Sequence, residues 1–376
     1  MGFDRAMLKD VKRIVIKVGT STITHGTGKR NFARIDHLAR QIADLANQGK
    51  EIILVSSGAV AVGVDRLGLK EKPKTIPEKQ AAAAVGQGVL MHTYEKIFAD
   101  YGQIVAQVLL TRIDSVDRHR YTNSRNTFLA LLKHGVIPIV NENDVVATDE
   151  LKIGDNDNLS ATVAGIVDAD LLIILSDVDG LYTANPQKYP DARLVPEVSD
   201  ITQEIEDSAG GAGSSVGTGG MFTKIQAAKA ATSSGIHMII AAGEQENVIS
   251  RILNGEAVGT LFVSRENRLQ FRKRWLAFGA RISGRLVVDD GCAKAVRKRG
   301  GCSILPAGII GVEGGFDAGG TVSVIDKTGH EIARGLTNYS SDELALIKGA
   351  KTSEIETLIG HKNFDEVIHR DDLVIL

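Results

Sequence analysis

Four polar residues in a row, Asp155, Asn156, Asp157 and Asn158, stand immediately before an apolar helical pattern in the segment GDNDNLSA, Gly154 to Ala161. Short polar side chains at a helix entrance cap free backbone N–H groups. Capping explains one such residue and leaves the others to chemistry. Just upstream a second cluster, NEND from Asn141 to Asp144, follows the apolar run VIPIV. Polar nests at the ends of buried strands lie where open α/β sheets place ligands.

The glycine-rich and lysine-bearing segments indicate the class of ligand. In IVIKVGTST, Lys17 sits inside an apolar strand, where an unpaired buried ammonium would cost several kcal/mol. It therefore either meets an anion, beside the donors of Gly19, Thr20 and Ser21, or snorkels to solvent. VSSGAVAVG sets Ser56, Ser57, Gly58 and Ala59 between a strand and a helical pattern. Helix starts of this kind attract phosphate or carboxylate, and a tight packing turn is the alternative. GTGGMFTK, Gly217 to Lys224, ends a flexible glycine-rich stretch. It fits neither the P-loop nor the dinucleotide fingerprint, so it is either a loop that closes on phosphates or a surface linker. In SDVDGLYTANP, Asp177 and Asp179 follow a buried strand, and the Asp-Gly pair could equally make a turn.

These residues need a scaffold, and the pattern supplies one. Short β-branched runs alternate with longer helical patterns, which predicts an α/β fold with an open, mostly parallel sheet sandwiched by helices. Strands are expected at Arg13–Val18, Glu51–Ser56, Ile104–Leu110, Val136–Val140, Leu171–Ser176 and His237–Ala241. Helices are expected between Ile35 and Gly49 and around Pro77–Tyr101, Thr122–His134, Asn158–Val167 and Met221–Ser234, from spacings of three and four and from glycine stops. The alternation ends near Gly255. From Leu261 to Gly279 runs a linker with Arg265, Arg268, Arg272, Lys273, Arg274 and Trp275. Short strands and glycine turns then predict a small, mostly β domain, giving a division into residues 1–260, 261–279 and 280–376.

Composition excludes several classes. A chain of 376 residues with 43% hydrophobic content is long enough for two cores. The first apolar run, Ile14 to Val18, is too short for a signal peptide or a membrane span and contains Lys17, so a cytoplasmic protein is expected. Cys292 and Cys302 form no CxxC and point to reduced, structural thiols. A net charge of -2 gives no general attraction for nucleic acid.

Taken in order, KVGTST, SSGAVAVG, NENDVV, GDNDNLSA, SDVDGLYTANP and GTGGMFTK resemble the amino acid kinase family, and within it the glutamate 5-kinases, over roughly Val11 to Gly259. The tail after Gly279 is similar to a PUA domain. Ser176 stands where that family's pattern has Thr, which keeps the hydroxyl. The resemblance implies the amino acid kinase fold and transfer of the γ-phosphoryl group of ATP to the side-chain carboxylate of L-glutamate, with Mg²⁺, as the first step of proline biosynthesis. It places Lys17 and Lys224 on the phosphates and the transferring phosphoryl, with Asp157 holding both lysines. Glutamate contacts carry over to Ser57, Asp144 and Asn156. Nucleotide contacts carry over to Lys17, Ser176, Asp177 and the loop Gly217, Thr218, Gly219, Gly220, Met221, Phe222, Thr223 and Lys224. No metal ligand is assigned.

Feedback inhibition by proline near the loop Leu67–Pro77, a homodimer or homotetramer, and hand-over to a glutamyl-phosphate reductase are further implications of the resemblance. Two alternatives remain: a sibling kinase acting on acetylglutamate or aspartate, and an RNA-binding role for the tail. The tail carries the basic run Arg297, Lys298 and Arg299, yet holds 12 Lys and Arg against 14 Asp and Glu over residues 280 to 376. A non-specific RNA groove should be distinctly basic.

Overall fold

The computed structural model describes residues 3–71, 73–147, 156–186, 188–209, 220–264, 282–298 and 302–376. Its chain divides into two compact units, Met1–Asp117 with Asn123–Arg268, and Leu269–Leu376 with Arg118–Thr122.

The first unit is built on an eight-stranded sheet of order β3-β4-β2-β1-β5-β7-β8-β6. The strands are β1 (Arg13–Val18), β2 (Glu51–Ser56), β3 (Val105–Leu110), β4 (Ile137–Glu142), β5 (Leu171–Ser176), β6 (Glu197–Val198), β7 (His237–Ala242) and β8 (Thr260–Phe262). Strands β3, β4, β2, β1, β5 and β7 pair in parallel, and β8 turns antiparallel against β7. The chain leaves β1 towards β2 on one side and later returns to β5 on the other, so β1 is the switch point. Crevices at the carboxyl ends of such strands are where this architecture binds ligands.

Between the strands run α1 (Thr20–Ile23), α2 (Phe32–Asn47), α3 (Ala59–Leu67), α4 (Ile76–Asp100), α5 (Arg112–Val116), α6 (Arg118–Lys133), α7 (Asn156–Ile166), α8 (Gln203–Ser208), α9 (Met221–Ser233) and α10 (Val248–Leu253). Side chains alternate across a strand. Ile14, Ile16 and Val18 of β1 join Ile35, Leu38, Leu90, Tyr94 and Phe98 in one buried cluster, which places α2 and α4 on that face of the sheet. Val15 and Lys17 consequently face the other side, where Asp157 of α7 meets Lys17 and Lys224 of α9 meets the same carboxylate. Parallel strands buried on both faces read as unbroken apolar runs, as β5 does with LLIILS.

The expected strand and helix positions agree with these elements to within a residue or two at most ends. Two short strands, β6 and β8, had no counterpart in the sequence reading. Leu261 and Phe262, taken there as the start of the linker, lie fully buried in β8. An apolar run that short has no periodicity to betray it. The remaining linker residues from Arg265 onward, with Trp275, lie outside the described residues.

The second unit holds a five-stranded sheet of order β10-β9-β11-β12-β13, from β9 (Gly284–Val288), β10 (Ile309–Glu313), β11 (Thr321–Ile325), β12 (Glu331–Leu336) and β13 (Leu373–Ile375). Its core includes Leu286, Val288, Val322, Val324, Tyr339 and Ile368. Short helices also occur, α11 (Asp290–Val296), α12 (Ser341–Ile347) and α13 (Ile355–Ile359). The mostly β domain expected from sequence is borne out, and these helices went unnamed there because elements of this length show barely two turns of pattern.

Candidate active site

Lys17 is the fifth residue of β1, and its side chain is largely buried. The residue is 7% exposed, and its Nζ lies 2.5 Å from Oδ1 of Asp157. Asp157 sits in the first turn of α7 with no exposed surface. Its other oxygen, Oδ2, lies 3.1 Å from Nζ of Lys224, which is 4% exposed in the first turn of α9. The Thr223 hydroxyl adds a hydrogen bond to the same Oδ2 at 2.9 Å. Burial alone would push the Asp157 carboxyl up, but the two ammoniums outweigh it and hold the group below the usual carboxylate range. One carboxylate thus sets two cations side by side.

Next along α7, Asn156 faces a different set of groups. Its Nδ2 lies within hydrogen-bond reach of the Ser56 carbonyl (3.1 Å), the Ser57 hydroxyl (3.0 Å) and Asn141 Oδ1 (2.9 Å), which must share two hydrogens. Asn141, at the end of β4, donates in turn to Gln87 Oε1 of α4 at 2.9 Å. Ser56 bonds the buried Tyr94 hydroxyl at 2.8 Å, and burial raises that phenol's pKa above the ordinary range. Gln87 and Tyr94 are two turns apart on one face of α4, so a single helix braces the ends of both β4 and β2.

The turn carrying Ser57 is held by close backbone packing. Gly58 caps α3 at a φ of 101°, a region that favours glycine. A Cβ on Gly86 of α4 would lie 1.8 Å from the Ala59 carbonyl oxygen, and one on Gly63 of α3 would lie 1.8 Å from that of Ala82. Only hydrogen at both positions lets these helices touch.

Among the sequence-derived residues, the fold brings together Lys17, Asp157, Thr223 and Lys224, and beside them Ser57 and Asn156. Adjacent strand ends account for this: Val18 pairs with Ser56 on one side and Leu175 on the other. Ser176 ends β5 and donates to Asp177 Oδ1 at 2.9 Å, while Asp177 is exposed. Asp144 is half-buried in the turn after β4. Gly220, Met221, Phe222 and Thr223 form the cap and first turn of α9. Gly217, Thr218, Gly219 and Asp155 lie outside the described residues. Tyr182 donates to Asp179 Oδ2 at 2.8 Å, and its backbone bridges to Leu194. Gln87 and Tyr94 were not found from sequence, because their partners are distant along the chain. A glutamine within the apolar stripe of α4 was the available signal.

Among the described residues, no group of three or more His, Cys, Asp or Glu side chains could hold a metal ion, and no helix is long and apolar enough to cross a membrane. In the second unit, Arg297 of the basic run pairs with Asp326 at 2.7 Å, and Arg299 lies outside the described residues.

Comparison with known proteins gives the following. The amino acid kinase family profile matches residues 12–242, and the PUA domain profile matches residues 284–359. A glutamate 5-kinase of Moorella thermoacetica is 57% identical over 372 residues, covering 99% of this chain and 98% of that protein. One of Carboxydothermus hydrogenoformans is 54% identical, covering 99% and 100%. Among solved structures, carbamate kinase from Giardia lamblia, bound to AMP-PNP, matches with a TM-score of 0.51 at 18% identity, over 68% of this chain and 99% of that one. That likeness concerns the fold.

Proposed function

We propose that this chain, which belongs to the amino acid kinase family, transfers the γ-phosphoryl group of ATP to the side-chain carboxylate of L-glutamate, forming L-glutamyl 5-phosphate for proline biosynthesis. The observation that carries the reading is the buried Lys17–Asp157–Lys224 bridge at the switch point of the sheet. Its relatives at 57% and 54% identity over nearly their whole length, named glutamate 5-kinases, supply the substrate.

The chemistry fits this donor set. A side-chain carboxylate with an ordinary pKa of about 4.3 is already ionised at neutral pH and needs no general base. One of its oxygens attacks the γ-phosphorus, the bond from that phosphorus to the bridging oxygen breaks, and ADP leaves with the electron pair. Two anions must approach in line while charge spreads over the transferring group, so pre-placed cations do the catalysis. Lys17 and Lys224 take that role, and Asp157 positions them. Ser57 and Asn156 bind the amino acid, and Asp144 pairs with its ammonium. Ser176, Asp177 and residues 217–224 hold the nucleotide, with the N–H groups at the start of α9 facing phosphate. Mg²⁺ suits this site as the nucleotide's own counter-ion, neutralising its phosphates. None of the described protein groups is assigned to the metal.

Inhibition by proline at the glutamate site, a homo-oligomer, a cytoplasmic location and a reductase that consumes the labile acyl phosphate belong to the same proposal. Trapping with hydroxylamine tests it. Purified protein with MgATP should yield glutamyl hydroxamate, lowered by proline, and no hydroxamate from acetylglutamate or aspartate. Product from one of those acids instead would keep the mechanism and replace the substrate. In the same assay Asp144→Ala should raise the glutamate KM well above any change in the ATP KM; an equal rise in both would make Asp144 structural.

A further inference from the structure

One buried amide near the site lacks a complete set of partners. Gln87 is 9% exposed, and its Nε2 finds no hydrogen-bond partner among the described residues. The orientation of this amide follows from a donor that cannot be reversed. The backbone N–H of Glu142 donates to Asn141 Oδ1 at 2.9 Å, so the Asn141 group facing Gln87 is the Nδ2 donor. Gln87 must present its oxygen there, which leaves Nε2 as a surplus donor. A buried N–H without an acceptor costs about 1–3 kcal/mol. Turning to solvent would not relieve it, since Gln87 shares its helix face with the buried Leu90, Tyr94 and Phe98 and follows Gly86, where α4 abuts α3.

Building on the reaction proposed above, we infer that Gln87 is a substrate-binding residue whose Nε2 donates to the α-carboxylate of the amino acid acceptor and sets its chain length. Position decides which carboxylate it meets. The Lys17–Asp157–Lys224 bridge lies over β1, whereas Gln87 meets Asn141 on β4, with β2 between them. Two strand spacings amount to about 10 Å. The donor therefore serves the end of the amino acid remote from phosphoryl transfer. Aspartate, one methylene shorter, could not engage Gln87 and still present its side-chain carboxylate to Lys17.

Gln87→Met and Gln87→Glu in the full chain test this, with hydroxamate formation measured against glutamate and ATP separately and Tm recorded for each variant. Methionine removes the donor at similar volume. Glutamate keeps an oxygen for Asn141 and sets a carboxylate against the substrate's. Both variants should raise the glutamate KM about 10- to 100-fold, the loss expected for a hydrogen bond to a charged group. The ATP KM and kcat should stay within about threefold, a split that a merely structural role would not produce. A glutamate KM within about threefold of the parent in either folded variant would overturn the inference, as would an equal rise in both KM values. Failure of the parent protein itself to make glutamyl hydroxamate would instead refute the reaction.

Discussion

Replacing Asp157 by Asn keeps the shape of the side chain and removes the one charge that holds two lysines together. In the native protein its two oxygens lie 2.5 Å and 3.1 Å from the ammoniums of Lys17 and Lys224, and the residue has no exposed surface. Ammoniums bridged in this way sit roughly 6 Å apart, and without the carboxylate they repel by about 3 kcal/mol at an effective dielectric constant near 20. Breaking a buried ion cluster by removing one partner typically costs about 3–5 kcal/mol. Asp157→Asn should therefore lose about that much stability, measured by denaturant unfolding. The lysines would swing apart, and kcat for hydroxamate formation should fall by at least about 100-fold, the scale of one lost transition-state contact. Saturating MgATP should raise the Tm of Asp157→Asn more than that of the parent, because phosphate restores the missing counter-charge. A variant that loses less than about 1 kcal/mol and keeps kcat within about threefold would show that the carboxylate does not position the lysines.

Lys17→Ala and Lys224→Ala should each lower kcat by about 100- to 1000-fold with a small change in glutamate KM, and a kcat within threefold would remove that lysine from the transition state. Gly86→Ala places a methyl group 1.8 Å from the Ala59 carbonyl oxygen and should destabilise by about 1–3 kcal/mol while raising glutamate KM through the Ser57 turn. Gly88→Ala, with nothing within 4 Å, should be neutral or stabilising by about 0.5–1 kcal/mol, and equal losses at both positions would contradict the close-contact account. The Asp157 pKa is depressed in the folded protein, so its contribution is complete above the unfolded-state value of about 3.9 and disappears as pH falls through the lower native value. A Tm titration should accordingly show a steeper acid limb for the parent than for Asp157→Asn.

How much of this could be read from the chain depends on the range of each interaction. The strands β2 and β5 are apolar runs that end in serine, and β1 is one that runs into Gly19 and Thr20, so their boundaries follow from local pattern alone. Lys17 was ambiguous from its own segment for a physical reason: an ammonium in an apolar strand either snorkels or finds an anion. Asp157, 140 residues later, came only from the family resemblance, and the fold sets its carboxylate 2.5 Å from the ammonium. The GDNDNLSA segment pointed to chemistry, yet its own residues did not divide the labour between Asn156 and Asp157; that division came from the family resemblance, and the placement of α7 over the strand ends gives it a geometry. The Gln87–Asn141 bond spans 54 residues and the Ser56–Tyr94 bond 38, so no local pattern encodes them. Gly63 and Gly86 gave no signal either, since each is an isolated glycine in a helical pattern whose meaning lies in the backbone opposite.

Asn156 and Asp157 are neighbours in sequence and point into different halves of the site because successive residues of a helix are turned by about 100°. Asp157 reaches the lysines of β1 and α9, and Asn156 reaches Ser57 and Asn141 at the ends of β2 and β4. With the roles proposed above, the first turn of α7 would set the distance between the phosphoryl-transfer centre and the amino acid. A displacement of α7 would misplace both substrates at once, whereas a change at Gln87 or Gly86 acts through α4 and reaches only the amino acid side. Kinetics can distinguish the two supports: perturbing α7 should lower kcat and raise both KM values together, and perturbing α4 should raise the glutamate KM alone.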